Sequence, residues 1–471
     1  MKTRKYFKET IKENGDSVAI IADNDQIYTY RDVERISQEI SLQVERRSLV
    51  FNFCTNEIDC VLGYFSFILY DHVALMVGDK QDYKYKKSLI YRYSPDYLWL
   101  PREEVYLYPE FKRVFLFGKY ALMKSKVERV NRLNKDLALL LPTSGTTGSP
   151  KYAKITTKNL EENALSIAKA LRIKKTDRAI ASLPIYYSFG LSVINSNFLA
   201  GSSILLTKSS LLTRLFWDLV KKHNPTSISG TPYHFEILDR LGLQILGETS
   251  LNTLLHAGGR MKISLLKKLS LFCKSNNIKM YTMYGQTEAT ARMSYLPPSL
   301  LEQKLGSIGI AIPNGSFKLL DDCGGIISSP GVKGNLLYTG ENVFQGYAHE
   351  RADLYKNDEN DGNLDTGDIA FMDDDGFFYI VGRKKRFVKV YGNRVNLDDI
   401  EDLLFTKFGE CACIGDDDII KIFTTKLIHL EDIKNFLFKE IFIKKRNIET
   451  NFINEFPRNL NGKISYKELG A

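Results

Sequence analysis

Cysteine is scarce in this chain: six in 471 residues, at 54, 60, 273, 323, 411 and 413, with no CxxC pair and no Cys/His cluster. That usage excludes a disulfide scaffold and a thiolate zinc site, and it fits a reducing cytoplasm. Cys411 and Cys413 fall in the apolar segment ECACIG, which reads as a strand carrying the two thiols on alternate faces. Long apolar runs are missing as well. The longest, near VLGYFSFILY, is about half of the roughly 20 residues that a membrane-crossing helix needs, so no membrane span is expected. The amino terminus, MKTRKYFKETIKENGD, lacks the apolar centre of a secretory leader. There is no internal repeat and no low-complexity tract. The net charge of +9 is spread over lysines in amphipathic segments without a nucleic-acid motif, so nucleic acid is not expected as a partner. Such a surface steers small anions instead.

The length exceeds the roughly 250–300 residues that one hydrophobic core organises, so at least two domains are expected. Strand-like runs (SVAII, SLVFNF, RAIASLP, SSILLT, TLLHAG, KMYTMYG) alternate with helical patterns such as YRDVERISQEISLQV and ISLLKKLSLFCK. That alternation predicts an α/β fold. Beyond Gly306 short strands punctuated by Gly, Asn and Asp predict a β-rich subdomain. The basic stretch GRKKR, Gly382 to Arg386, marks a boundary between an N-terminal domain of residues 1–384 and a small, mobile α+β domain of residues 385–471. There NLDDIEDLLFTKF predicts a helix with Ile400, Leu403, Leu404 and Phe408 on its buried face. The chain closes on an exposed loop, PRNLNGK, that carries Lys463.

One stretch, LLPTSGTTGSPKYAKI, combines small hydroxyls, flexible backbone and one cation. Gly145 and Gly148 permit positive φ and close approach. Thr143, Ser144, Thr146 and Thr147 add hydroxyl donors, and Lys151 adds a charge, which suits phosphate oxygens. A Walker-type phosphate loop needs Gly-Lys-Ser/Thr leading into a helix. Pro150 and Tyr152 break that pattern, YAKI alternates like a strand, and a helix pattern starts only at about Thr157. The loop therefore reads as a strand-to-strand turn.

Five further islands carry the chemistry of a nucleotide site: HAGGR (256–260), MYGQTEAT (283–290), LDTGD (364–368), GRKKRFVKVYGNRV (382–395) and PRNLNGK (457–463). With the Thr/Ser-Gly loop, in this order and over nearly the whole chain, they resemble the superfamily of adenylate-forming enzymes. That superfamily comprises acyl- and aryl-coenzyme A synthetases, carrier-protein-loading adenylation domains and luciferases. The resemblance implies that a carboxylic acid reacts with ATP to give acyl-AMP and pyrophosphate. The acyl group then passes to a phosphopantetheine thiol, of coenzyme A or of an acyl carrier protein. Thr143, Ser144, Gly145, Thr146, Thr147, Gly148 and Lys151 would hold the β- and γ-phosphates. Tyr284 would stack on adenine, with Gly258, Gly259 and Gly285 letting backbone approach. Thr287 would donate to the α-phosphate, Glu288 would ligate Mg²⁺, and Asp368 would accept the ribose hydroxyls with Arg383 nearby. Lys463 matches the catalytic lysine, Lys385 the hinge, and Gly392 the glycine facing the thiol tunnel.

LPIYYSFG departs from the pattern, because Tyr187 stands where many acyl-coenzyme A synthetases have histidine. Domains that take α-amino acids carry an aspartate where this chain has Ser188, and a buried ammonium without a carboxylate is heavily penalised. Tyr187, Ser188 and Tyr233 therefore predict a pocket for a fatty, hydroxyacyl or aryl acid. Two other readings stay open: transfer to an amine or hydroxyl acceptor, and a silent nucleotide- or acyl-binding module. An amino-acid-activating enzyme is a further alternative. Oligomeric state is not legible.

Overall fold

A computed structural model describes residues 6–127, 133–143, 151–390, 393–416, 419–427, 430–441, 443–458 and 464–470. The chain divides into two compact units. The first comprises 1–145, 149–317 and 338–364; the second comprises 146–148, 318–337 and 365–471. The expected border at 384/385 falls inside the second unit.

The first unit is built on two sheets. The nine-stranded sheet runs, edge to edge, Ile310–Ala311, Arg292–Leu296, Lys279–Gly285, Thr253–His256, Ser227–Gly230, Arg178–Ala181, Ser203–Leu206, Val18–Ile21 and Ile27–Thr29. Its six middle strands, from Lys279–Gly285 to Val18–Ile21, pair in parallel, and the outer strands turn antiparallel. The eight-stranded sheet runs Tyr347–Ala348, Tyr152–Thr156, Leu137–Pro142, Val73–Gly78, Leu49–Cys54, Tyr97–Pro101, Tyr120–Ser125 and Phe111–Phe117. All six strand segments expected from the sequence form, and the helical patterns become Tyr30–Ser41 and Ile263–Ser275.

The main core lies where both sheets meet the helices Tyr30–Ser41, Ile58–Leu69, Thr157–Leu171 and Ser188–Leu199. Ile58–Leu69 is buried at every residue, which is why its sequence is apolar all round rather than amphipathic. Gly63 within it is obligatory, since a Cβ there would stand 2.2 Å from the Trp99 ring nitrogen. Thr157–Leu171 starts where expected, with Thr156 and Asn159 closing a reciprocal capping box. Such a cap stabilises a helix by about 1 kcal/mol.

Strands Ile326–Ile327, Gly315–Leu320, Gly334–Gly340, Asn363–Met372 and Phe378–Arg383 form a five-stranded sheet in that order, most of its residues falling in the second unit. A three-stranded sheet of Cys411–Asp416, Ile419–Thr424 and Ile448–Phe452 follows, with helices Leu397–Phe408 and Leu430–Ile441. The α/β expectation with a small α+β end therefore holds. The cysteine expectation does not. Residues two apart on a strand point the same way, so Cys411 and Cys413 share one core cluster while Ala412 faces another. Among the described residues no helix is long and apolar enough to cross a membrane.

One buried carboxylate couples this core to pH. Glu161, 2% exposed on Thr157–Leu171, accepts a hydrogen bond from the Phe7 backbone N–H at 3.1 Å, tying down the helix Tyr6–Asn14. Burial pushes its pKa from 4.5 up to about 7. Between those values the folded chain keeps a proton that the unfolded chain has released. The contribution is therefore full below pH 4.5 and lost as pH rises through 7. Melting curves at pH 6 and pH 8 are expected to show the wild type losing about 1–2 °C more than Glu161→Gln over that interval. Equal losses would contradict the assignment.

Candidate active site

Adjacent parallel strands all end on the same edge of a sheet, and ligands of open α/β sheets gather outside those carboxyl ends. Four consecutive strands of the nine-stranded sheet, Arg178–Ala181, Ser227–Gly230, Thr253–His256 and Lys279–Gly285, deliver their following loops to that edge. Tyr187, Gly258 and Gly259 lie in the segments that follow, Ser188 and Tyr233 in the first turns of the next helices, and Tyr284 to Glu288 in the last strand's end and the turn after it. Candidates spread over about a hundred positions of sequence thus share one edge for a topological reason.

The sharpest construction is the turn after Lys279–Gly285. A Cβ on Gly285 would stand 1.9 Å from the Ala291 carbonyl oxygen, so only glycine lets the chain fold back this tightly. Thr287–Ala289 then forms a single 3₁₀ turn, closed by Thr290 at φ +64. For a β-branched residue that conformation is costly, and the surroundings hold it. Thr290 Oγ1 donates to the Asn342 carbonyl at 2.7 Å, Asn342 Nδ2 donates to the Ala289 carbonyl at 2.9 Å, and Tyr338 donates to Asn342 Oδ1 at 2.8 Å. The Phe344 N–H donates to the Glu288 carbonyl at 2.9 Å.

The Glu288 carboxylate is aimed by Tyr347, whose hydroxyl donates to Oε1 at 2.7 Å. Burial, with the Glu288 charge beside it, raises the Tyr347 pKa, so the phenol stays a donor. The ammonium of Lys151 lies 3.5 Å from the centroid of the same ring. Lys151 is held from the other side of its hairpin, its carbonyl accepting from the Thr143 N–H and hydroxyl, each at 3.2 Å. The paired strands Leu137–Pro142 and Tyr152–Thr156 confirm a strand-to-strand turn. Its tip, with Ser144, Gly145, Thr146, Thr147 and Gly148, lies outside the described residues. For Mg²⁺ the donor set fits. This hard ion is usually held by one or two carboxylates plus phosphate oxygens and water, not by a protein cage. Glu288 offers one aimed carboxylate, and no cluster of three or more acidic, His or Cys ligands occurs among the described residues.

Tyr187 precedes the helix Ser188–Leu199 and packs its ring 4.3 Å from that of Tyr186. Ser188 Oγ lies 3.2 Å from Thr287 Oγ1, which brings an acyl-pocket candidate and an α-phosphate candidate into contact. Gly258 has φ +83, and a Cβ there would lie 3.8 Å from the Phe189 ring. Tyr284 sits 6.4 Å from the Phe317 ring. Tyr233, 47% exposed, packs edge-on to His234 rather than into the core.

In the second unit, Asp368 and Arg383 are cross-strand partners joined by an ion pair of 3.2 Å, the carboxylate buried and the arginine exposed. Lys384 pairs with Asp365 at 2.8 Å. Arg386 binds Asp398 and Glu401, each at 2.7 Å, and lies over the Tyr466 ring. Lys385 thus stands between a residue anchored to one sheet and a residue anchored to the following helix. Its side chain, like Gly392 and Lys463, lies outside the described residues.

Sequence reasoning missed three residues here. Tyr347 and Asn342 act on a turn more than fifty positions upstream, and nothing in their local pattern signals that. The third is Arg292, 2% exposed, on the strand that follows the turn. Its Nε donates to Ser192 Oγ at 3.1 Å and its Nη1 approaches Met283 Sδ at 3.4 Å, while Nη2 has no partner among the described residues. Burial pushes its pKa down to about 9. An arginine inside RMSYL, amid apolar strand residues, was the available signal.

Residues 104–348, more than half of the chain, match the family model described as AMP-binding enzyme. The chain is 27% identical to the 2-succinylbenzoate–CoA ligase of Bacillus licheniformis, covering 71% of this chain and 70% of that one. It is 31% identical to the long-chain-fatty-acid–CoA ligase of Escherichia coli O157:H7, covering 76% of this chain and 65% of that one. Its fold matches the O-succinylbenzoate coenzyme A synthetase (MenE) of Bacillus subtilis in complex with ATP and magnesium ion. The TM-score is 0.75 at 20% identity, over 99% of each chain.

Proposed function

The chain belongs to the AMP-binding enzyme family, and we propose that it joins a carboxylic acid to a thiol in two steps driven by ATP. A carboxylate oxygen of a fatty, hydroxyacyl or aryl acid attacks the α-phosphorus of ATP. The bond to pyrophosphate breaks and acyl-AMP forms. The thiol of coenzyme A then attacks the activated carbonyl, AMP leaves, and the thiol proton passes to solvent. Coenzyme A is the acceptor that the named relatives favour. A carrier-protein phosphopantetheine is the second acceptor, and the cytoplasm is the compartment we assign.

The observation that carries this reading is the contact of Ser188 with Thr287 beside the aimed carboxylate of Glu288. It supports, within one unit, an acid held beside Ser188, an α-phosphate met by Thr287 and an ion ligated by Glu288. The protein's work is positioning and charge stabilisation rather than covalent chemistry. In this scheme Thr287 donates to the α-phosphate and Tyr284 stacks on adenine. Lys151, with Ser144, Thr146 and Thr147, holds the β- and γ-phosphates. Asp368 accepts the ribose hydroxyls. Mg²⁺ bound through Glu288 would neutralise phosphate charge. Residues 385–471 form the lid, hinged at Lys385. It carries Lys463 for adenylation, and Gly392 leaves the thiol a path.

ATP–pyrophosphate exchange over a panel of acids tests the reading. Exchange is expected with acyl or aryl acids, with AMP release dependent on coenzyme A, and none with α-amino acids, D-alanine included. Strong exchange with any amino acid would overturn the assignment of Ser188. Lys463→Ala is expected to cut adenylation by at least about 10²–10³-fold while sparing thiol transfer from a supplied acyl-adenylate. Equal losses in both half-reactions would remove Lys463 from the chemistry.

A further inference from the structure

Distant segments of the second unit converge on one largely buried carboxylate. Glu401, on the helix Leu397–Phe408, has both oxygens engaged. Its Oε1 accepts from Arg386 Nη2 at 2.7 Å and from the Cys413 N–H at 2.6 Å, and its Oε2 accepts from the Tyr466 hydroxyl at 2.9 Å. Arg386 completes the cluster. Its Nε donates to Asp398 at 2.7 Å, its Nη1 donates to the Cys413 carbonyl at 2.9 Å, and its guanidinium lies 3.9 Å from the centre of the Tyr466 ring. The Arg386 side chain is 14% exposed and that of Glu401 16%, so the pair is mostly removed from water. Apolar residues of similar volume would stabilise such a place at least as well. What the ions and the phenol add is a fixed direction for each group they touch.

The groups joined this way flank the two lysines assigned to the reaction. Arg386 directly follows Lys385, and Tyr466 opens the last helix, Tyr466–Leu469, three residues after Lys463. Burial and the Glu401 charge raise the Tyr466 pKa, so the phenol stays a donor. The chain before Tyr466 is pinned as well. The Ser465 N–H donates to the Pro457 carbonyl at 2.7 Å, and Arg458 and Ile464 pair as an antiparallel bridge. Arg458 Nη2 also holds both oxygens of Glu410, at 2.7 and 2.6 Å, and Ile464 packs against the cluster of Ala412, Phe423, Phe456 and Leu469. The chain on either side of 459–463 is therefore closed on itself, and the bond from Tyr466 to Glu401 ties that closure to the residue after Lys385.

We propose that Tyr466 is a positioning residue for adenylation: its hydroxyl, bonded to Glu401, and its ring, under Arg386, fix the base from which Lys463 acts. This rests on the assignment of Lys463 above. A cation on a short segment loses its direction when the base tilts, and ~1 Å of misplacement at a reacting group costs up to about 10²-fold in rate. Loss of the hydroxyl leaves Glu401 its bonds to Arg386 and Cys413, so the surrounding core is retained.

Tyr466→Phe removes the hydroxyl and keeps the ring. In ATP–pyrophosphate exchange with the acid that the panel above selects, it is expected to lower kcat by at least about tenfold, with the KM of ATP and of the acid unchanged. Thiol transfer from a supplied acyl-adenylate should run at the wild-type rate, which also reports a folded variant. A residue that acts through Lys463 costs nothing more once Lys463 is gone, so Tyr466→Phe combined with Lys463→Ala should exchange at the rate of Lys463→Ala alone. Unchanged exchange in Tyr466→Phe, equal losses in both half-reactions, or losses that multiply in the double variant would each overturn the proposal. Full adenylation by Lys463→Ala would instead refute the assignment of Lys463, and the proposal with it. Amide hydrogen exchange over Pro457 to Tyr466 reads the anchoring without any substrate: faster exchange in Tyr466→Phe supports it, and equal exchange refutes it.

Discussion

The functional arrangement of the first unit depends on a turn too tight for any side chain at its start. Gly285 packs its backbone against the Ala291 carbonyl, which forces the chain to reverse at once and sets Thr287 and Glu288 on a single 3₁₀ turn at the sheet edge. That geometry is not self-supporting, since Thr290 sits at positive φ. It is stable because Asn342 and the Phe344 N–H bond the turn's polar groups from the facing segment, while Tyr338 holds the Asn342 amide. The carboxylate is then aimed by Tyr347, whose ring also faces the Lys151 ammonium. Turn, acid, phenol and cation form one connected chain, and loss of any member loosens its neighbours.

This turn also explains why two sheets are needed. The nine-stranded sheet supplies Glu288 at a carboxyl end, while Tyr347 and Lys151 belong to or adjoin the edge of the eight-stranded sheet, where Tyr347 pairs with Ala153. A carboxylate serves a metal best when its outer partners fix its direction, and the groups that fix the Glu288 carboxylate come from the other sheet. The packed helices between the sheets hold the two edges in register, so the core's role in function is to fix a distance.

Much of this was legible in the sequence because strands, helices and glycine-rich turns announce themselves locally. KMYTMYG became Lys279–Gly285, the break after it became the tight turn, and the helix pattern read from about Thr157 became Thr157–Leu171. The family resemblance rested on the same local islands. What escaped is long-range. Asn342 and Tyr347 look like ordinary residues of a strand-rich segment, and their role exists only after folding brings them to Glu288. Glu161 meets the Phe7 N–H, 154 positions away, only after folding. Arg292 was hidden by its neighbours, since a pattern of apolar strand residues masks one charge. The Cys411 and Cys413 error was of another kind, a miscounted period of two.

On the proposed function, Asn342 and its partners hold the Glu288 turn so that the carboxylate receives the metal of a metal–nucleotide complex. ATP affinity measured by calorimetry with and without Mg²⁺, in wild type and in Asn342→Ala, tests it most directly. The gain in affinity brought by Mg²⁺ is expected to fall by at least about tenfold in the variant, while binding of metal-free ATP is unchanged. A variant that keeps its fold and the full Mg²⁺-dependent gain would contradict it.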